Sequence, residues 1–202
     1  NGTSPEEHME DDVIVPPDYD IALMAKAGLL IPLDMSKLPN FTKYAGKSFV
    51  NPLYDPNNKY SVAYQWGTIG VGYSPSRVGK TITSWNDLFD PKLKGRVAIL
   101  DSERESISII LNLLGKDPNS TNKADLDAVK AFFIAHKDVI ARFHASDGQF
   151  DVAKGSLDAI SDWNGDFNQV MGDPANAKLD LTFVLPKEGT VRWVDNLAIP
   201  KG

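Results

Sequence analysis

Between Arg96 and Leu185, short apolar runs of β type alternate with segments of helical periodicity, and no other feature of the chain narrows its fold as far. Arg96–Leu100, Val139–Phe143, Leu157–Ser161 and Leu179–Leu185 read as strands. Glu103–Leu114 sets Ile107, Ile110, Leu111 and Leu114 at helical spacing before Gly115 stops it. Lys123–Ala135, opened by Asn122, turns Leu126, Val129, Phe132 and Phe133 inward by the same rule. Strands joined through helices lay those helices on the faces of a sheet, so the expectation is an α/β fold, not a sandwich or a bundle. With 202 residues the chain can bury one good core or two small ones.

The rest of the chain adds punctuation to this frame. Asn1–Asp12 is polar and acidic without periodicity and reads as a loose terminus. Val13-Ile14-Val15 reads as a short buried strand ended by Pro16-Pro17, with Asp18 capping a helix over Tyr19–Ala27 that Gly28 terminates. The turn Pro17–Tyr19 is either a ligand loop or a plain capped turn. Leu29–Asn58, rich in Pro, Asn and Lys, reads as surface turns. Tyr60–Tyr73 reads as a strand long enough to pass between two domains, with Gly67, Gly70 and Gly72 marking bulges or close backbone approach. Those glycines lack the spacing of a dinucleotide fingerprint, and Gly79-Lys80-Thr81 lacks the earlier glycine of a phosphate loop, Ser74 standing in its place. Ser84-x-x-Asp87 fits a capping box beside Trp85, a core anchor.

Composition excludes several classes of function. At 42% hydrophobic and 24% charged residues the chain is built like an ordinary globular protein. It holds no apolar run long enough to span a bilayer and no basic-then-apolar leader. The absence of cysteine removes disulfides and thiolate metal sites. His8, His136 and His144 are scattered without ligand spacing, so no metal and no cofactor is expected. A net charge of −6 argues against nucleic acid as a partner. Seven of the 27 acids precede residue 26, where no Lys or Arg occurs, and the other 20 face 21 bases. A cationic ligand would therefore be held by placed carboxylates, not by a general field.

The residues best suited to that work lie in Val184–Pro200, where a Lys-Glu-Gly turn separates two strand-like runs. Alternation along the second run puts Val191, Trp193 and Asp195 on one face. An indole covers methylenes and attracts ammonium through its quadrupole, and a neighbouring carboxylate takes the charge. Asp162-Trp163 repeats the pairing at a strand end, where α/β folds bind ligands. On spacing alone, Trp193 with Asp195 reads equally as an inward Trp and a turn-capping acid, and Ser102-Glu103-Arg104-Glu105 reads as a capping box. Asp101 with Glu105, or Asp162 with Asp166, would be the carboxylate pairs of a glycosidase, but no nucleophile, base and orienter set accompanies them, and the chain is read as not an enzyme.

The ordered motifs DVIVPPDYDIALMAKAGLLIPLD, KLPNF, YDPNNKYSVAYQWGTIGVGY, TSWNDLFDPKLKGRVAILD, ERE, DWNG and LPKEGTVRWVDNLAIP resemble the spermidine/putrescine-binding proteins of bacterial ABC importers from about Asp12 to Gly202. The resemblance implies a two-lobed, type II periplasmic-binding-protein fold that closes over a polyamine. It implies that Trp193 and Asp195 stack on methylenes and bind an amine, that Trp163 is a further stacking Trp, and that Glu105 meets the far amine. Where the family carries Asp, this chain has Ser102, a lost charge that Asp101 makes up only if the turn rotates. Tyr19 is kept, whereas Pro17 replaces a hydroxyl. Both departures bear on spermidine specifically.

The same resemblance implies a chain that starts late and stops early. Its first lobe, residues 1–69 with 196–202, lacks part of its sheet, its second lobe is 70–190, and 191–195 form a hinge. The expected partners are a polyamine, an ABC transporter permease and a second copy covering the incomplete lobe. The expected location is periplasmic or extracellular, with a lipid anchor in the precursor. The alternatives are a binding protein for a sugar or other small solute, and a binding-incompetent fragment with a structural or sensing role.

Overall fold

A computed structural model describes residues 12–201. By internal contacts the chain divides into two compact units, residues 1–66 with 193–202 and residues 67–192. The Asn1–Asp11 stretch, with His8, lies outside the described residues.

In the first unit, helix α1 (Asp18–Ala27) ends at Gly28, whose φ of 73° is the left-handed conformation that closes helices. Asp18 is not its cap. Pro17 occupies that position, its carbonyl accepting from Asp20 N and Ile21 N at 3.1 Å each, while the Asp18 carboxylate takes Tyr19 N. Val13–Val15 is not a buried strand either. Ile14 bridges Ala198, but Val13 and Val15 are about half exposed, because a single bridge buries only one side of the chain. The segment after α1 is made of turns, as its composition implies, with three single-turn 3-10 helices and one short α-helix, α2 (Pro39–Tyr44). Its end is held by the buried Asp55 carboxylate, which accepts from Tyr60 N, Ser61 N and Ser61 Oγ and so starts strand β1 (Ser61–Tyr73). Ile21, Leu30 and Ala198 form the core here, with Ile14, Met24, Tyr54 and Tyr60 packed against them.

The second unit carries the alternation read from the sequence. After α3 (Pro75–Val78) come β2 (Val97–Leu100), α4 (Glu103–Leu113), α5 (Lys123–His136), β3 (Ile140–His144), α6 (Gly148–Lys154), β4 (Ala159–Trp163), α7 (Asn164–Gly172) and β5 (Thr182–Val184). The sheet order is β3-β2-β4-β1-β5, with β2 parallel to β3 and β4, and β1 antiparallel to β4 and β5. The last strand, β6 (Arg192–Ala198), pairs with β1.

One face of the unit-2 sheet packs Ala98 and Ile160 against Val152, Leu157 and Phe167. Ile109, Ile110 and Leu111 of α4 are buried, whereas Leu114 and, on α5, Leu126 are exposed. Helical spacing finds a stripe but not its width, and these two sit at its margin. The capping box at Ser84 and Asp87 forms as expected, with Trp85 fully buried. Trp85 Nε1 donates to Gly189 O, and the Glu188 carboxylate accepts from Ser84 Oγ and Trp85 N, which fixes the Lys-Glu-Gly turn between β5 and β6.

Candidate functional site

The first unit brings Pro17, Tyr19, Trp193 and Asp195 to the junction of α1 and β6. Burial along β6 alternates: Val194, Asn196 and Ala198 are buried, while Trp193, Asp195 and Leu197 lie half-buried on the other face. The inward Asn196 is locked, its side chain accepting from Tyr54 Oη at 3.0 Å and donating to Val194 O at 3.0 Å, and its backbone N donates to Pro16 O at 2.9 Å. The strand cannot rotate without breaking all three, so the Trp193–Asp195 face is set. Pro17 pairs with Asp195 through the backbone, and Tyr19 is the second residue of α1. Burial raises the Asp195 carboxyl above its ordinary range, and the Trp193 indole N–H is buried with no acceptor among the described residues. An aromatic wall beside a poorly solvated carboxylate suits an organic cation.

The second unit gathers Asp101, Ser102, Glu105 and Trp163 at the carboxyl ends of β2 and β4, neighbouring parallel strands. Asp101 is exposed, and Ser102 is the N-cap residue of α4, with Glu105 nearly buried in its first turn. The expected capping box is not made. The Ser102 hydroxyl donates to the Glu105 carboxylate and caps no backbone N–H. Trp163 closes β4, is half-buried and forms the N-cap position of α7.

Asp162 does not accompany Trp163 as Asp195 accompanies Trp193. Adjacent strand residues point to opposite faces, and Asp162 shares the face of Ile160 in the apolar layer. Its register partner is Gly70, over which Phe183 lies. Asp162 is fully buried; Oδ1 accepts Trp163 N at 2.9 Å, and Oδ2 has no partner among the described residues. Desolvation first, then the nearby Asp166 charge, push its pKa up to about 8.

That shift has a measurable consequence. Between pH 4 and 8 the folded state keeps a proton on Asp162 that the unfolded chain releases, so stability falls as pH rises through this window. The expected slope is greatest, up to about 1.4 kcal/mol per pH unit, near the middle of this window and vanishes above it. Denaturant melts of Asp162→Asn should lack this slope; an unchanged slope would show that Asp162 ionises normally.

Of the histidines, His144 ends β3 at 1% exposure, which its place in the sequence gives no reason to expect beyond the glycine four residues on. Among the described residues no group of three or more His, Cys, Asp or Glu side chains is placed to hold a metal ion, and no helix is long and apolar enough to cross a membrane.

The sequence pattern of the bacterial extracellular solute-binding proteins matches residues 2–202. A putrescine-binding periplasmic protein of Pseudomonas aeruginosa is 35% identical over 205 positions, covering 94% of this chain and 56% of the relative. A spermidine/putrescine-binding periplasmic protein of Escherichia coli is 33% identical over 190 positions, covering 94% and 53%. Among solved structures, the Tp0655 lipoprotein of Treponema pallidum superimposes with a TM-score of 0.86 at 25% identity, covering 95% of this chain and 60% of that one. A spermidine/putrescine ABC transporter substrate-binding protein of Streptococcus pneumoniae gives 0.81 at 29%, covering 94% and 57%. The chain thus spans somewhat over half the length of these relatives and shares their mixed α/β, type II periplasmic-binding-protein fold. With nearly all of its residues inside the family's pattern, the chain belongs to the bacterial extracellular solute-binding proteins.

Proposed function

We propose that this chain forms part of an extracytoplasmic binding protein that captures a polyamine such as putrescine or spermidine and delivers it to an ABC importer's permease. The observation that carries the reading is the outward face of β6, where Trp193 and the poorly solvated Asp195 sit two residues apart on a strand locked by Asn196. The putrescine- and spermidine/putrescine-binding relatives above 30% identity support the same ligand class.

In this reading Trp193 and Trp163 cover methylenes, and Asp195 and Glu105 each take an ammonium group. Tyr19 lines the site, and Ser102 holds Glu105 in place. Asp101, being exposed, supplies long-range attraction, and Pro17 sets the entry of α1. Capture involves no bond making, so the protein is not an enzyme, and residues 191–195 serve as the hinge. The protein works outside the cytoplasm. The dimer expected of this chain belongs to the same proposal and is tested by sedimentation.

The deciding experiment is calorimetric titration of the complete protein with putrescine, spermidine and a neutral disaccharide. Saturable heat with an amine alone is expected; heat with the disaccharide alone, or with none of the three, overturns the reading.

A further inference from the structure

The candidate amine ligands of the second unit sit on two different strand ends, and one side chain joins them. His144 Nε2 lies 2.9 Å from Ser161 O, two residues before Trp163, and Gly148 N donates to His144 Nδ1 at 3.2 Å. With Nδ1 accepting, Nε2 carries the proton and donates. The His144 carbonyl accepts Asp101 N at 2.7 Å, at the start of the turn that bears Ser102 and Glu105. Ser161 Oγ accepts Leu100 N at 2.9 Å, and Ser106 Oγ donates to Leu100 O at 2.6 Å, closing the circuit among β2, β4 and α4. The ring has no freedom. A Cβ at Gly148 would lie 2.7 Å from it, so only glycine lets the first residue of α6 sit over the imidazole.

From this juxtaposition we infer that His144 is the positioning residue for the candidate amine ligands of the second unit, holding the Asp101–Glu105 turn and Trp163 in register only while its imidazole is neutral. The inference rests on the polyamine reading and deepens it. A proton on Nδ1 would set an N–H against the Gly148 N–H, donor against donor, and the ring would have to leave.

The surroundings favour the neutral form. Desolvation lowers the pKa most; the Ser161 carbonyl opposes it, Arg142 on the same strand lowers it, and Asp147 and Asp151 raise it. Arg142 is itself bound to both of those aspartates, which blunts their pull. Asp101 follows β2 and meets His144 through its backbone N, and on β4 the acid is Asp162, which holds its proton at neutral pH. Below the ordinary histidine range the site therefore loosens, and amine affinity falls more steeply than its carboxylates alone dictate.

Three variants and two readouts test this. Glutamine at 144 places an uncharged N–H donor where Nε2 lies, so His144→Gln in the complete protein should bind putrescine or spermidine within about threefold of wild type at pH 7.5 and lose the steep acid limb. His144→Ala should bind about tenfold more weakly, and Gly148→Ala, which displaces the ring while keeping it, should copy His144→Ala. Amide hydrogen exchange at Leu100 and Asp101, read in this chain without ligand, should be about tenfold faster in His144→Ala and near wild type in His144→Gln. A folded His144→Ala with wild-type affinity and exchange overturns the inference, as do identical acid limbs in wild type and His144→Gln. If wild type binds no amine, the polyamine reading fails instead, and the exchange comparison alone decides the positioning role.

Discussion

Asp195→Asn in the complete protein will reduce polyamine affinity by a factor of about 30 to several thousand and leave the fold intact. Removing one charge of a desolvated ion pair costs about 2–5 kcal/mol, and each 1.4 kcal/mol is tenfold in Kd. The upper part of that range is expected because burial already raises the Asp195 carboxyl, so an ammonium that restores its charge gains more than it would at a solvated acid. Asparagine keeps the shape and one acceptor, and the link to Pro17 is made by backbone, so the strand is not disturbed. Wild-type affinity should fall on acidification through the raised Asp195 pKa, since the amine binds the carboxylate form, and the variant should lack that component. Trp193→Ala removes methylene cover and a cation–π contact of about 1–2 kcal/mol, a loss nearer tenfold. Calorimetry on both, with circular dichroism as the fold control, checks the assignment; wild-type affinity in either would sink it.

Gly72→Ala will destabilise the second unit by about 3 kcal/mol. Elsewhere in a strand this exchange helps, because alanine recovers about 0.5–1 kcal/mol of the entropy glycine loses on folding. Here a Cβ would run into Cδ2 of Phe167, a fully buried ring in the core cluster. Overpacking of this kind costs about 1–3 kcal/mol or more and outweighs the entropic gain. For a chain of this size the melting temperature should drop by roughly 6–12 °C. Phe167→Leu should recover part of the loss in the double variant, giving a coupling of about 1 kcal/mol or more. Scanning calorimetry of the four proteins measures it; strictly additive effects would mean the ring moves aside freely.

The two predictions draw on different kinds of information. Alternation of strand and helix in the second unit was legible in the sequence because periodicity is a property of a dozen consecutive residues, and so was the shared face of Trp193 and Asp195. The glycines of β1 announced a close approach, though only the structure says that Phe183 meets Gly70 and Phe167 meets Gly72. Two local readings misled. The Asp162-Trp163 pairing looked like that of β6, but the layer containing Ile160 and Phe167 claims Asp162 and takes its charge away. Ser102 and Glu105 fit a capping box by spacing, yet they bond to each other.

By itself the sequence determined the class of fold through local periodicity, the family through its ordered motifs, and the shared face of Trp193 and Asp195 through strand alternation. Strand order, the desolvation of Asp162 and the hydrogen-bond partners of His144 were decided only by the tertiary structure. A pKa or a hydrogen bond depends on which groups exclude water and which offer a partner, and here those groups lie 17 residues away for His144 and Ser161 and 61 for Leu100 and Ser161.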